Sequence, residues 1–415
     1  MTLLSAAVRR RTPRLLHEPN FRRYWWAQTI SLFGDQISLL ALPLVAILVA
    51  NAGPAEMGLL TAAGLIPSLM FSLLAGAWAD RKPYKRHIMI VADLGRAAAV
   101  LAIPVLYAVG ALSMPQLYVV AFVVGALSVL FEVCRTTLFV SLVGKEDYIP
   151  ANALINGSRA LSFVGGPSVA GPLVQLLSAP VALLADAVSY LYSGWLLGRT
   201  KAVEPPPSTT PGLAIGEGLR FYAREPVLRA MLVASTVLNL FNYMFSALIV
   251  LYAVSYLHIT PGVLGLVIGA ASVGALIGAA VSNRLANRIG VGPALIVGYV
   301  LFPAPLVLMP MAYGASVPVA VAVFLVAEFI SGLGVMILDI VGGSVQTAVV
   351  PDELRARIAG AHRTVNYGIR PIGAVLGGAV GAAIGVVPTL WIATVGGVIS
   401  VLFLLPSPIP RLRRL

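Results

Sequence analysis

Long runs without a single Asp, Glu, Lys, Arg or His dominate this chain. Residues 57–79 fit one passage through a bilayer core of ~30 Å, which takes ~20 helical residues. Residues 97–131, 289–327 and 371–410 are each too long for one passage and must hold two, turning near 110–115, 314–318 and 385–388. The runs are continuously apolar instead of alternating with period two, so they read as helices and not as barrel strands. With the remaining apolar segments they predict twelve crossings, at 24–50, 57–79, 88–110, 115–143, 152–178, 180–199, 226–256, 262–285, 292–313, 317–345, 358–385 and 388–405. The fold class is therefore all-α integral membrane, twelve transmembrane helices in two six-helix bundles. Charged residues make up 11% of the chain, against roughly 25% in soluble domains. That excludes a water-soluble globule, a disordered chain and a secreted disulfide scaffold. Cys134 is the single cysteine, and the four histidines are scattered, so neither a disulfide nor a metal site is expected.

The net charge of +12 is a statement about topology. The turns at 51–56, 110–114, 178–180, 257–261, 314–317 and 385–387 contain no Lys or Arg. The alternate connections hold nearly all of them, from Arg9, Arg10 and Arg11 through Lys82, Lys85, Lys145, Lys201 and Arg288 to Arg413 and Arg414. Basic residues stay on the cytoplasmic side. Both termini are thus expected inside a bacterial inner membrane, with lipid and not nucleic acid as the partner of the positive charge. The first apolar segment is too long for a signal-peptide core and is kept as the first crossing. Tyr24, Trp25 and Trp26 are expected in an interfacial aromatic belt.

Around 205–211 the composition turns to Pro, Ser and Thr, midway along the chain. This divides it into a cytoplasmic tail (1–20), a first six-helix bundle (21–199), a linker (200–225), a second bundle (226–406) and a basic tail (407–415). In the linker, Leu213, Leu219 and Phe221 suggest a short helix lying at the lipid surface. Two internal echoes point to duplication. The segment from Asp80 to Lys85 corresponds to Asn283 through Arg288. Arg159 precedes Pro167 by eight residues, as Arg363 precedes Pro371.

The segment Gly76-Ala77-Trp78-Ala79-Asp80-Arg81-Lys82-Pro83-Tyr84-Lys85-Arg86, between crossings two and three, resembles the signature loop of the major facilitator superfamily. Pro83-Tyr84 stands where that loop usually has a glycine. Asn20-Phe21-Arg22-Arg23-Tyr24-Trp25, Gly34-Asp35, Ala151-Asn152-Ala153-Leu154 and Gly165-Gly166-Pro167 with Gly171-Pro172 are similar to the branch of macrolide efflux proteins and the enterobactin exporter. The resemblance implies a cytoplasmic gate in which Asp80 holds the eleventh crossing near Ile358, and in which Arg81 and Arg86 pair with acids such as Asp93. Gly76, Arg159 and Arg363 are assigned to the same gate. Gly165, Gly166, Pro167, Gly171 and Pro371 are expected at close contacts or hinges.

Charged side chains at bilayer depth cost ~2.5–3.5 kcal/mol on insertion scales and need a reason. Asp35 lies eleven residues beyond Tyr24, ~16 Å along a helix and near the midplane. It suits a carboxyl that takes a proton from one side and releases it to the other; a structural carboxyl, or one that binds a cationic substrate, is the alternative. Glu132 and Arg135 stand one helical turn apart and read equally as a proton or substrate site or as a permanent ion pair. Glu328 reads in the same two ways. Asp93, Arg96, Asp186 and Asp339 rank lower: Asp93 and Arg96 read as a structural pair ahead of a relay, Asp186 lies near the outer end of its crossing, and Asp339, nearer the inner end, suits a gate. Asn239 and Asn242, beside Tyr243 and Phe245, suit a large amphipathic ligand or a lipid-facing wall.

A secondary transporter follows as the expectation: proton-coupled efflux of a bulky amphipathic compound by a monomer, driven by the proton gradient with no cofactor. Import or uniport of a small organic solute is the alternative. An enzyme or ATP-driven pump lacks a phosphate-binding loop and a His-Glu-x-x-His segment, and an ion channel lacks a filter loop. Cysteines introduced singly at Ser208 and at Ala315, over Cys134→Ser, should label from opposite sides of the membrane. Same-side labelling would break the twelve-crossing topology.

Overall fold

The computed structural model describes residues 14–80, 82–202, 215–351 and 354–414, side chains at 72–77, 79–80, 215–219 and 356–357 excepted. The described residues form helices and no strand. Six long helices come first: α1 (Pro19–Leu48), α2 (Pro54–Asp80), α3 (Lys85–Ala108), α4 (Met114–Leu142), α5 (Tyr148–Leu177) and α6 (Ala179–Gly198). A short α7 (Ile215–Arg224) lies in the linker. Then follow α8 (Pro226–Leu251), α9 (Pro261–Ile289), α10 (Val291–Leu301), α11 (Val317–Val349), α12 (Arg355–Ile384) and α13 (Val386–Ile399). Beyond α10 the chain breaks at Phe302-Pro303 and continues through Ala304–Val307 to Leu308–Met311. With that extension, and omitting α7, twelve helical segments among the described residues are long and apolar enough to cross a membrane.

The six turns that lack Lys and Arg share one device. Each contains a single residue at positive φ: Asn51 (53°), Gly110 (68°), Ser178 (77°), His258 (55°), Gly314 (78°) and Gly385 (96°). Three of these are not glycine, in a region that costs an L-residue roughly 1–2 kcal/mol. The reversal is sharp enough to return the chain directly into the next helix.

Packing separates the chain into two units, Met1–Ala50 with Ile66–Pro211 and Asn51–Leu65 with Gly212–Leu415. The second unit thus takes the first part of α2, a difference from a division at the linker alone. The reason is close approach. At Gly58 a Cβ would lie 2.6 Å from the Ala374 carbonyl oxygen and 2.7 Å from the Gly378 Cα of α12.

In the first unit α6 packs against both α1 and α3, and α1 also packs on α5. The core there includes Phe21, Tyr24, Met89, Phe131, Cys134 and Leu138. Tyr24 is fully buried and its hydroxyl donates to the Arg135 carbonyl at 3.2 Å. It is therefore a core residue and not part of an interfacial belt; of the three aromatics only Trp26 is exposed. Gly166 brings α5 onto α1, where a Cβ would sit 2.5 Å from that of Gln36.

In the second unit the tightest pairs are α9 with α11 and α8 with α12. Gly332 of α11 packs directly on the Ala271 carbonyl of α9. The linker helix does not simply lie on lipid. Tyr222 is buried with Leu228, Val350, Ile358 and Ala361, with Phe221 packed alongside, so α7 docks on α8 and the start of α12. Tyr222 accepts a hydrogen bond from Gln346 at 2.8 Å and stacks on His362 with ring centroids 6.0 Å apart. The expected anchors Leu213 and Leu219 lie outside the described residues and side chains.

Overpacking a close helix contact costs ~1–3 kcal/mol. Gly332→Ala should accordingly lower the thermal unfolding midpoint in detergent by several degrees. Gly64→Ala, where nothing lies within 4 Å of the new methyl, should leave it unchanged.

Candidate functional site

Asp35 sits within α1, and the residue before it determines its surroundings. Gly34 lies so close to α6 that any Cβ would collide with Ser189 and Asp186. Lacking one, α1 and α6 approach until the Tyr190 hydroxyl donates to Asp35 Oδ1 at 2.6 Å. Asp35 is half-buried, whereas Tyr190 is buried. The Tyr190 ring lies 4.2 Å from the Arg96 guanidinium, and the Phe131 ring of α4 lies 4.4 Å from it. Arg96 in turn donates to Asp93 one turn back along α3. Asp186 completes the group, accepting hydrogen bonds from Ser38 of α1 and, at 3.1 Å, from Ser189. Asp93 and Asp186 have no exposed surface and Arg96 has 2%.

A continuous polar chain thus runs Asp93, Arg96, Tyr190, Asp35, with Ser38 one turn along α1 donating to Asp186 on α6. Three carboxylates share a single guanidinium. Two protons or other cations are needed to balance the cluster if every group is otherwise ionised. Asp93 Oδ2 and Arg96 Nε have no hydrogen-bond partner among the described residues. Such an arrangement can bind and pass a proton without exposing a charge to lipid.

Glu132 is different in kind. Its side chain is 56% exposed and takes Arg135 with both oxygens, at 2.7 Å from Nε and again from Nη2. Arg159 of α5 lies 4.0 Å away, so this residue joins Glu132 and Arg135. The gate expectation is corrected at Asp93: it pairs with Arg96, while Arg86 donates to the Thr200 carbonyl. Asp93 lies ~10 Å further along α3 than Arg86, beyond that side chain's reach to the buried core. Gly76 and Asp80 fall within α2, but their side chains, and all of Arg81, lie outside the described residues. Arg363 is exposed on α12.

In the second unit Glu328 is half-buried in α11 and makes no hydrogen bond or ion pair among the described residues. Asn239 is turned to another helix, donating to Asn366 at 2.9 Å and to the Ser235 carbonyl at 2.8 Å. Asn242 lines a crevice with Phe241, Phe302 and Thr394, among α8, α13 and the break after α10. Pro167 and Pro371 are accommodated inside α5 and α12, and Gly171 is buried in α5. Gly165 makes ordinary contact with Phe33 at 3.5 Å.

Two residues escaped the reading of the sequence. Tyr190 bridges Asp35 to Arg96, and its position four residues after Asp186 in an apolar helix was the available sign. Arg370, midway along α12, stands immediately before Pro371, where the sequence shows it only as the boundary of a charge-free run. Its guanidinium lies 4.5 Å from the Tyr367 ring and 5.2 Å from the Tyr243 ring.

Against known proteins, residues 13–414 match the family described as transmembrane secretion effector. The chain is 27% identical over 410 residues to the multidrug efflux pump Tap of Mycolicibacterium fortuitum, covering 92% of this chain and 93% of the relative. It is 26% identical over 378 residues to the uncharacterized MFS-type transporter YfiS of Bacillus subtilis (strain 168), covering 87% and 86%. Among solved structures, the nucleoside transporter NupG is similar with a TM-score of 0.75 at 12% identity, covering 93% of this chain and 98% of that one. A bacterial homologue of the iron transporter ferroportin in an inward-facing state gives 0.73 at 16%, covering 93% and 98%. These two likenesses concern the fold.

Removing one member of a buried ion pair strands the other, at ~3–5 kcal/mol, whereas exposed pairs contribute ~0–1 kcal/mol. Asp93→Ala should therefore cut the yield of monodisperse protein in size-exclusion chromatography severalfold. Glu132→Gln should retain it. Equal losses from both would contradict the division into a buried and an exposed group.

Proposed function

Because the chain belongs to the transmembrane secretion effector family and is a major facilitator transporter of the efflux branch, we propose that it exports a bulky amphipathic compound in exchange for protons. Its two six-helix halves, 21–199 and 226–406, alternate the side on which the substrate path is open. The observation that carries the proton half of this reading is the position of Asp35, half-buried, held by Tyr190, and beside three buried charged groups. Ionised, Asp35 accepts the Tyr190 hydroxyl and faces Arg96 through that ring. Protonated, it becomes a donor itself, and the cluster sheds one negative charge. The exchange alters the bond that ties α1 to α6, which is how a proton acts on the helix that carries it.

The driving force is sufficient. A charge falling through 100 mV yields about 2.3 kcal/mol, enough for roughly a fifty-fold gradient of exported compound per proton. Export of drug-like compounds is supported by the relative named a multidrug efflux pump, which matches over nearly its whole length. The protein acts as a monomer in the bacterial plasma membrane, with both termini cytoplasmic and no cofactor.

A panel of macrolides, tetracyclines and siderophores in an efflux-deficient host identifies a compound to which the protein gives resistance, and that compound is then taken into proteoliposomes. Wild type should move it against an imposed pH gradient, and Asp35→Asn should lose that flux while keeping gradient-free counterflow. Undiminished pH-driven flux in the variant would remove Asp35 from the mechanism. Flux in the opposite sense would make the protein an importer.

A further inference from the structure

Of the arginines inside the long helices, Arg96 and Arg370 each stand near the middle of one and differ in one respect. Arg96 has aromatic rings near its guanidinium at 4.2 and 4.4 Å, and its N–H donors engage Asp93. Arg370 has rings at 4.5 and 5.2 Å, Tyr367 one turn back on α12 and Tyr243 across on α8. It makes no hydrogen bond and no ion pair among the described residues, and its Nε is buried without a partner. Aromatic rings attract a guanidinium through its cationic charge and leave the forked N–H edge for an oxyanion.

The charged groups acting on Arg370 from the neighbouring elements do not serve that edge. Asp339 of α11 is within electrostatic range but exposed and unbonded to it, and His362 lies two turns back on α12. Asn366, on the intervening turn, is already committed to Asn239 and His362. A permanently charged fork, half-buried midway along a membrane helix and flanked by two tyrosines, is suited to bidentate capture of a carboxylate or a similar planar oxyanion.

We infer that Arg370 is the anchor for an anionic group on the transported compound, with Tyr243 and Tyr367 receiving its adjoining aromatic or apolar body. The substrate class is then amphipathic acids. This rests on the exporter reading but is tested without transport.

The full-length protein in detergent is titrated with three matched probe pairs: fluorescein, 1-naphthylacetic acid and pyrenebutyric acid, each against its methyl ester. Binding is followed by the shift in thermal unfolding and by ligand fluorescence. At least one acid should bind about tenfold more tightly than its ester, the scale of one charge-assisted bidentate contact. Arg370→Gln should erase the difference, and Arg370→Lys, which keeps charge but loses the fork, should retain only part of it. Asp339→Asn should preserve the acid preference, whereas a guanidinium already occupied by Asp339 predicts no preference in wild type and its appearance only in Asp339→Asn.

Equal binding of every acid and its ester by wild type, or an acid preference surviving in Arg370→Gln, would overturn the proposal. If Arg370→Gln does not fold, an undiminished preference in Arg370→Lys overturns it equally. Acid preference without pH-driven flux would leave the anchor standing and sink the proton reading. Flux with no acid preference would do the reverse.

Discussion

Hydrocarbon offers no water to a charged or hydrogen-bonding group, and the interior of this protein is organised around that penalty. The Asp93–Arg96 pair shows the consequence most directly. Neither residue is accessible, so the guanidinium must be neutralised and its faces covered from within, by Asp93, Tyr190 and Phe131. That requirement draws α3, α4 and α6 together. Tyr190, once oriented by Arg96, has its hydroxyl left for Asp35 on α1. The titratable carboxyl is therefore positioned by the same contacts that make a buried arginine tolerable, and structure and chemistry in the first unit are not separable.

The second unit solves the problem differently. Its long helices meet through glycine, with backbone against backbone at Gly332 and Ala271, and its linked polar side chains, Asn239, Asn366, His362, Tyr222 and Gln346, carry no buried ion pair among the described residues. Glu328 and Arg370 each lie half-buried without a bonded counter-charge among the described residues. Charged groups left unpaired within a lipid-facing fold carry a standing cost, which makes Glu328 and Arg370 the places in this unit where function is to be sought.

The architecture was readable because a bilayer restricts a chain to length and apolarity, both of which are linear properties of sequence. The turns expected near 110–115, 314–318 and 385–388 fall where Gly110, Gly314 and Gly385 reverse the backbone. Helix faces were not readable in this way. Tyr24 is a core residue beside Arg135 although its place in the chain suited an interface. Asp93 joins the buried cluster and not the basic loop, since distance from a helix end says nothing about which neighbour it meets. Asp35 is legible from its depth and from Gly34 beside it, but its partner Tyr190 belongs to a helix 155 residues away. Asp80 and Arg81, to which the family resemblance assigns the gate, carry no described side chains to compare.

The six reversals built on one left-handed residue each have a mechanical corollary. A hairpin closed so abruptly cannot spread at its closed end without unwinding a helical turn. Its two helices move there as a stiff lever, and Asn51, Ser178 and His258 hold that shape even at some local strain. Gly290, at φ 101°, closes the α9–α10 hairpin in the same way. Each such hairpin therefore responds to a push at its open end as one piece.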